Sequence, residues 1–277
     1  MGLRIGTNVQ SLAAQRSLGN VKKQQGSSLE KLASGSRINK AGDDAAGLAI
    51  SEKLKADIRG TRQATRNAGD GISLIQTAEG GMNEVNNILI RLRELSVQSA
   101  SDTIGDTERS YSDKEFQQLV TEVGRIAEST EFNGKTLLNG EGDDMDFQIG
   151  LYNDENNDRL TYQPGQSSVT TDNLGIEGLT VSSKEDSQTN LEVLDNAIST
   201  VSENRATLGA LQNRLTSTIN NLEVKTENLS AANSRIRDTD VAAESAELAK
   251  ANILTASSTS VLAQANNSSS SALQLIG

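Results

Sequence analysis

The sequence predicts a mainly α protein, built from long helices packed side by side with a small β-hairpin region between them. Three observations predict it. The chain of 277 residues holds three Phe, three Tyr and no Trp, so Ala, Leu, Ile and Val carry its apolar content. That composition suits long packed helices better than an aromatic-filled globular core. Leu194, Val201, Leu208, Leu215, Leu222, Leu229 and Ile236 place an aliphatic residue at every seventh position. The single proline, Pro164, lies in a stretch rich in Gly, Asn, Asp and Ser, which separates two long segments free of proline.

Taken from the start, residues 1–32 put Ile5, Val9, Leu12, Leu18, Val21, Leu29 and Leu32 at helical spacing, giving a modest amphipathic helix. Residues 47–100 repeat apolar side chains helically through Leu54, Ile58, Ala68, Ile72, Ile75, Val85, Ile88, Leu92 and Leu95. Gly69, Gly71, Gly80 and Gly81 interrupt this helix, each costing about 1 kcal/mol against Ala, which predicts close approach of another backbone there. A shorter helix over Ser112–Glu128 carries Phe116, Leu119, Val123 and Ile126 on one side.

Between Asn133 and Thr189 short β-type runs, Phe147–Leu151 and Leu179–Ser182, predict a hairpin or loop region. Its acidic stretch Asn153–Asp158 lacks the EF-hand pattern. The positions that would need Gly and Glu hold Asp158 and Pro164, so a solvated tip is expected. The sevenfold repeat then predicts a helix over 190–236, about 70 Å long at 1.5 Å per residue, which needs companions to bury its seam. Its second set of seam positions, Leu191, Ile198, Arg205, Gln212, Ile219, Thr226 and Asn233, is only half apolar. Ala251–Gly277 contains no charged residue, and small uncharged side chains there suit close packing inside an assembly. Alone such a helix is marginal in water.

The absence of Cys and His removes thiol nucleophiles, imidazole bases and the usual zinc ligands. No cofactor or metal site is read from the sequence, and no paired carboxylates suggest a catalytic centre. The net charge of -11 argues against nucleic acid as a partner. Charge is uneven: residues 1–66 hold twelve Lys or Arg against five acids, whereas residues 141–186 hold eleven acids against two bases. No span of about 20 apolar residues suggests membrane insertion. The first residues lack the pattern of a cleaved secretory signal, so export, if it occurs, is expected by another route.

Several stretches resemble the signatures of bacterial flagellins. LASGSRINKAGDDAAGLAISEKLKADIRGTRQATRNAGD spans Leu32–Asp70, GISLIQTAEGGMNEVNNILIRLRELSVQSA spans Gly71–Ala100, and EFNGKTLLNG spans Glu131–Gly140. Near the other end, LGALQNRLTSTINNLEVKTENLSAANSRIRDTDVAAE spans Leu208–Glu244 and TSVLAQAN spans Thr259–Asn266. The resemblance implies that the two chain ends pair as an inner coiled coil beside a long antiparallel helical bundle with a small β-hairpin region. It divides the chain into 1–46 as N-terminal inner helix and connector, 47–132 as the first half of the bundle, 133–189 as hairpin region, 190–236 as the second long bundle helix, and 237–277 as connector and C-terminal inner helix. Only about 50 residues separate the halves, as in a short form without large outer domains.

The resemblance also implies a structural subunit that polymerises into an extracellular flagellar filament for motility, not an enzyme, with no catalytic residues. Members that carry a zinc-protease insert need His, which this chain lacks. Assembly would rest on the bundle seam from Leu194 to Ile236 and on the inner-helix residues Ile5, Val9, Leu12, Leu254, Val261, Leu262, Leu273 and Ile276. Arg59, Arg62 and Arg66 are expected to fix the register between subunits. Implied partners are other copies of the chain, filament cap and hook-associated proteins, and an export chaperone that shields the C-terminal segment during type III export. Arg91, Leu95 and Glu115 match a patch read by a vertebrate Toll-like receptor, although Ile90 stands where receptor-active members carry Gln. A hook-filament junction protein of the same superfamily is the alternative reading.

Overall fold

The structure, a computed structural model, describes the backbone of residues 7–274 and the side chains of residues 7–267. Five α-helices account for most of it: α1 (Val9–Ser34), α2 (Ala45–Ser99), α3 (Asp106–Ser129), α4 (Lys184–Arg237) and α5 (Val241–Gln274). They divide into two compact units, one formed by Met1–Asp57 with Asn228–Gly277, the other by Ile58–Glu227.

In the first unit α1 starts at Asn8, whose side chain accepts a hydrogen bond from the Ser11 N–H, and stops at Gly35, which adopts the left-handed conformation at φ 68°. The Asp240 carboxylate caps α5 by accepting from Ala242 and Ala243 N–H, at 2.9 and 3.2 Å. The two helices lie antiparallel. Asn8 Nδ2 donates to the Ala265 carbonyl at 2.9 Å, Gln25 Nε2 to Asn252 Oδ1 at 2.6 Å, and Lys31 pairs with Glu244 at 3.6 Å. The connectors between helices are tied as well. Arg37 N–H donates to the Arg237 carbonyl at 2.6 Å, its guanidinium to the Ile236 carbonyl at 2.7 Å, and Thr239 N–H to the Gly35 carbonyl at 3.0 Å. The first two bonds satisfy carbonyls that the end of α4 leaves without helical partners, and the third satisfies the carbonyl of the residue that ends α1.

The second unit holds the main core. Ile75, Met82, Leu89 and Leu92 of α2 cluster with Phe116 and Val123 of α3 and with Leu194, Val201 and Leu208 of α4. Between α3 and α4 lie two antiparallel hairpins, β1 (Glu131–Phe132) with β2 (Lys135–Thr136), and β3 (Met145–Gln148) with β4 (Arg159–Tyr162). Tyr162 is fully buried and donates its hydroxyl proton to the Leu137 carbonyl at 2.7 Å, which links the hairpins. Burial pushes the Tyr162 phenol above its ordinary pKa.

Two expectations are corrected. Leu179–Ser182 is no strand: Val181 N–H donates to Asp113 Oδ1, and the Leu179 carbonyl accepts from Gln117 Nε2, so α3 side chains replace a strand partner. The helical glycines do not meet another backbone. Gly71 faces the Phe147 ring and Leu215, and Gly81 faces Leu138 and Thr130, so side chains fill those spaces. A Cβ on Gly69 or Gly80 would meet nothing within 4 Å.

Candidate assembly surface

The buried positions of the seam between α1 and α5 are small residues, Ser11, Ala14 and Ser28 on α1 with Ala251 and Ala265 on α5, while Leu18, Val21 and Leu32 of α1 and Leu248 and Leu262 of α5 are half-buried along it. The small side chains let helices approach closely but remove little apolar surface, and at about 25 cal/mol per Å² they contribute correspondingly little through water exclusion. Other large aliphatics of the same helices face outward. Val9, at 63% exposure, and Leu12 lie on the side of α1 opposite the seam. Ile253, at 70%, points away from the seam on α5, with the exposed Leu254 and Val261 at its flank. Leu262 is half-buried. Ile5, Ile276 and the side chain of Leu273 lie outside the described residues.

Along α4 the sevenfold repeat changes character. Leu194, Val201, Leu208, Leu215 and Leu222 are buried, whereas Leu229 and Ile236 are half-buried. The last two belong to the first unit, which contains neither α3 nor the hairpin region. Of the other seam positions, Arg205 keeps a loose pair with Glu79 at 3.7 Å. Its Nε is buried without a hydrogen-bond partner, as is Asn233 Oδ1.

Arg59, Arg62 and Arg66 lie exposed along one stripe of α2, Arg66 hydrogen-bonded to Gln63. Further along the same helix Arg91 is held by Glu94 and by Glu115 of α3, both at 2.9 Å. These carboxylates hold the Arg91 guanidinium above its ordinary pKa, and all three side chains are largely exposed. Leu95 does not share that surface: at 2% exposure it belongs to the core, while Ile90 and Val97 are the exposed aliphatics nearby. The helix period places Leu95 on the inward side of α2 together with Leu92.

Cross-helix ion pairs brace the bundle. Arg93 grips Asp195 at 2.6 Å, and Lys184 grips Asp102 at 2.7 Å. In each case the hydrogen bond from the cation holds the aspartate below its ordinary pKa. Sequence reasoning missed Arg109, the buried charge of this unit. It donates from Nε to the Ser99 carbonyl, from Nη2 to the Ser101 carbonyl and from Nη1 to Asp106, at 2.9, 3.0 and 2.9 Å. The short interval between α2 and α3 was its only signal.

Small residues closing an antiparallel pair of terminal helices, while their large aliphatics face outward, define a helical protein built for association. The flagellin N-terminal helical region matches residues 5–143, and the flagellin C-terminal helical region matches residues 191–276. A flagellin of Halalkalibacterium halodurans is 46% identical over 98% of this chain and 99% of its own length. The flagellar filament 30.7 kDa core protein of Treponema maltophilum is 42% identical over 98% and 99%. Among solved structures, a Bacillus cereus flagellin is 32% identical with a TM-score of 0.51, covering 61% of this chain and 94% of its own. A Vibrio parahaemolyticus structure described as a flagellar hook-associated protein shares the fold alone, at 12% identity and a TM-score of 0.58 over 71% of this chain and 100% of its own. The chain belongs to the bacterial flagellin family.

Proposed function

We propose that the chain is the structural subunit of a bacterial flagellar filament, acting by association rather than catalysis. One observation carries this reading. Val9, Leu12, Ile253 and Val261 stand exposed on helices whose buried seam positions hold only Ala and Ser. Stacking against other copies supplies the missing burial, and head-to-tail contacts that do not close into a ring generate an open filament. The paired terminal helices of residues 1–57 and 228–277 supply the contacts between copies, and the bundle seam from Leu194 to Ile236 keeps the two long helices in register. The filament reading is favoured over a hook-filament junction protein by relatives named for flagellins and filament cores at above 40% identity.

Four finer readings accompany it. The subunit leaves the cell through the flagellar export apparatus. A chaperone covers the segment from Ala251 onward, whose exposed Ile253, Leu254 and Val261 would otherwise promote early assembly. Cap and hook-associated proteins meet the same terminal helices at the filament's ends. The exposed Arg91 and Glu115 provide the polar part of a receptor patch, although the buried Leu95 contributes nothing to its surface and Ile90 supplies no hydrogen bond.

The test is a double substitution, Val9→Asp with Leu12→Asp, assayed by sedimentation of polymer at graded protein concentrations. Both side chains are exposed in the single chain, so helix content should be retained while the concentration needed to polymerise rises at least tenfold, as for a loss of about 1.4 kcal/mol. An unchanged polymerisation threshold with retained helix would contradict the proposal.

A further inference from the structure

Two Asn–Gly pairs stand in the hairpin region, Asn133–Gly134 and Asn139–Gly140, and the fold holds them differently. Asn133 and Gly134 are the whole loop between Phe132 and Lys135, which face each other across the β1–β2 hairpin. Both residues adopt left-handed backbone conformations, φ 52° and 75°, as tight two-residue hairpin turns require. Both are exposed. Neither the Asn133 carboxamide nor the Gly134 N–H has a hydrogen-bond partner among the described residues. Nothing restrains the side chain, and Gly134 has no side chain to shield its backbone nitrogen.

Asn139 is held at several points. Its Oδ1 accepts from the Glu141 N–H at 3.0 Å, and the residue is half-buried. The preceding Leu138 carbonyl accepts from Val169 N–H at 3.0 Å, and a Cβ on Gly140 would lie 2.8 Å from Ser168 Oγ. Rotation of that carboxamide toward the next backbone nitrogen would break the Glu141 bond inside a packed turn.

We propose that Asn133 is a site of spontaneous deamidation, an intrinsic chemical modification of the β1–β2 turn, and that Asn139 is spared by its surroundings. The Gly134 backbone nitrogen attacks Asn133 Cγ. A bond forms between them, the bond from Cγ to Nδ2 breaks, and Nδ2 leaves as ammonia with the proton from the Gly134 N–H. Water then opens the five-membered imide at either carbonyl, leaving aspartate or isoaspartate. The net reaction consumes one water and releases one ammonia, with nothing oxidised or reduced. Asn is among the residues depleted from heat-adapted proteins as thermally labile.

Either product sets a negative charge next but one to Glu131. Isoaspartate also inserts an extra carbon into the main chain of a two-residue loop, so the pairing of Phe132 with Lys135 is lost. The hairpin is closed by Leu137 N–H donating to the Thr130 carbonyl at 3.0 Å, immediately before the fully buried Leu137 and Leu138. Loosening of the turn is therefore transmitted to the core.

The test incubates the full-length chain in mildly alkaline buffer and follows it by peptide mass mapping, with enzymatic methylation to detect isoaspartate. Asn133 should convert severalfold faster than Asn139, and the thermal unfolding midpoint should fall as conversion proceeds. Asn133→Gly, which keeps a residue suited to positive φ, should hold its midpoint through the same incubation. No conversion at Asn133, or equal rates at Asn133 and Asn139, would overturn the assignment. An equal fall of the midpoint in Asn133→Gly would overturn the link from the modified turn to the core.

Discussion

Arg109 shows how one side chain closes the turn from α2 to α3. Its guanidinium, 9% exposed, supplies the donors that the Ser99 and Ser101 carbonyls would otherwise lack. Arg109→Ala strands those acceptors and should destabilise the bundle by about 2–3 kcal/mol in urea titrations. Arg109→Lys should recover only part of this, because an ammonium cannot reproduce the guanidinium fork. In the sequence Arg109 reads as an ordinary arginine in the first turn of a helix, and its partners are main-chain atoms that no motif reveals. The ion pairs at Asp102 and Asp195 behave differently. Each aspartate is held below its ordinary value of 3.8 in the folded chain, so its pairing stabilises the fold above that value. The contribution is lost as pH falls through the depressed folded-state values. In a pH series of thermal melts, Asp195→Asn should lower the midpoint at neutral pH and approach the parent in strong acid. Both pairs are exposed, so the effect is modest and should shrink further in high salt.

At the scale of elements, legibility followed periodicity. The seven-residue repeat identified α4 because five of its seven positions are buried in one seam. Phe116 and Val123 likewise identified the core face of α3, since a helix against a single core repeats its apolar residues at helical spacing. The seam of α1 with α5 was only partly legible. Its buried positions, Ser11, Ala14, Ser28, Ala251 and Ala265, carry no large aliphatic, and although Leu18, Val21 and Leu32 lie half-buried beside them, Val9, Leu12 and Ile253 mark the face turned away from the partner helix. The second hairpin was half legible. Phe147 lies in β3, but its partner strand, Arg159–Tyr162, holds two polar residues among four, and Leu179–Ser182 looked more strand-like. Side chains of α3 satisfy that segment's backbone, a tertiary effect outside any local pattern. Gly71 and Gly81 were correctly conspicuous, although side chains rather than a backbone occupy their spaces.

For the whole molecule, the two units carry different kinds of surface. The bundle of residues 58–227 holds the main core of buried aliphatics, with Ile90, Val97 and Val224 left exposed, while the unit of the chain ends leaves Val9, Leu12, Ile253 and Val261 exposed. The exposed stripe of Arg59, Arg62 and Arg66 offers a means of setting register between copies, given the acid-rich segment 141–186. Reversing charge at Arg62 and Arg66 should raise the polymerisation threshold most strongly at low ionic strength and leave the melting midpoint within a degree or so, about the effect of a few tenths of a kcal/mol. Electron microscopy of the purified chain after salting or seeding, beside a chain lacking residues 1–32 and 251–277, tests most directly whether the terminal helices drive polymerisation. Long filaments are expected from the full chain and none from the truncated one, with the bundle still folded. Filaments of equal length and number from the truncated chain, or a full chain that stays monomeric under every condition, would contradict that role.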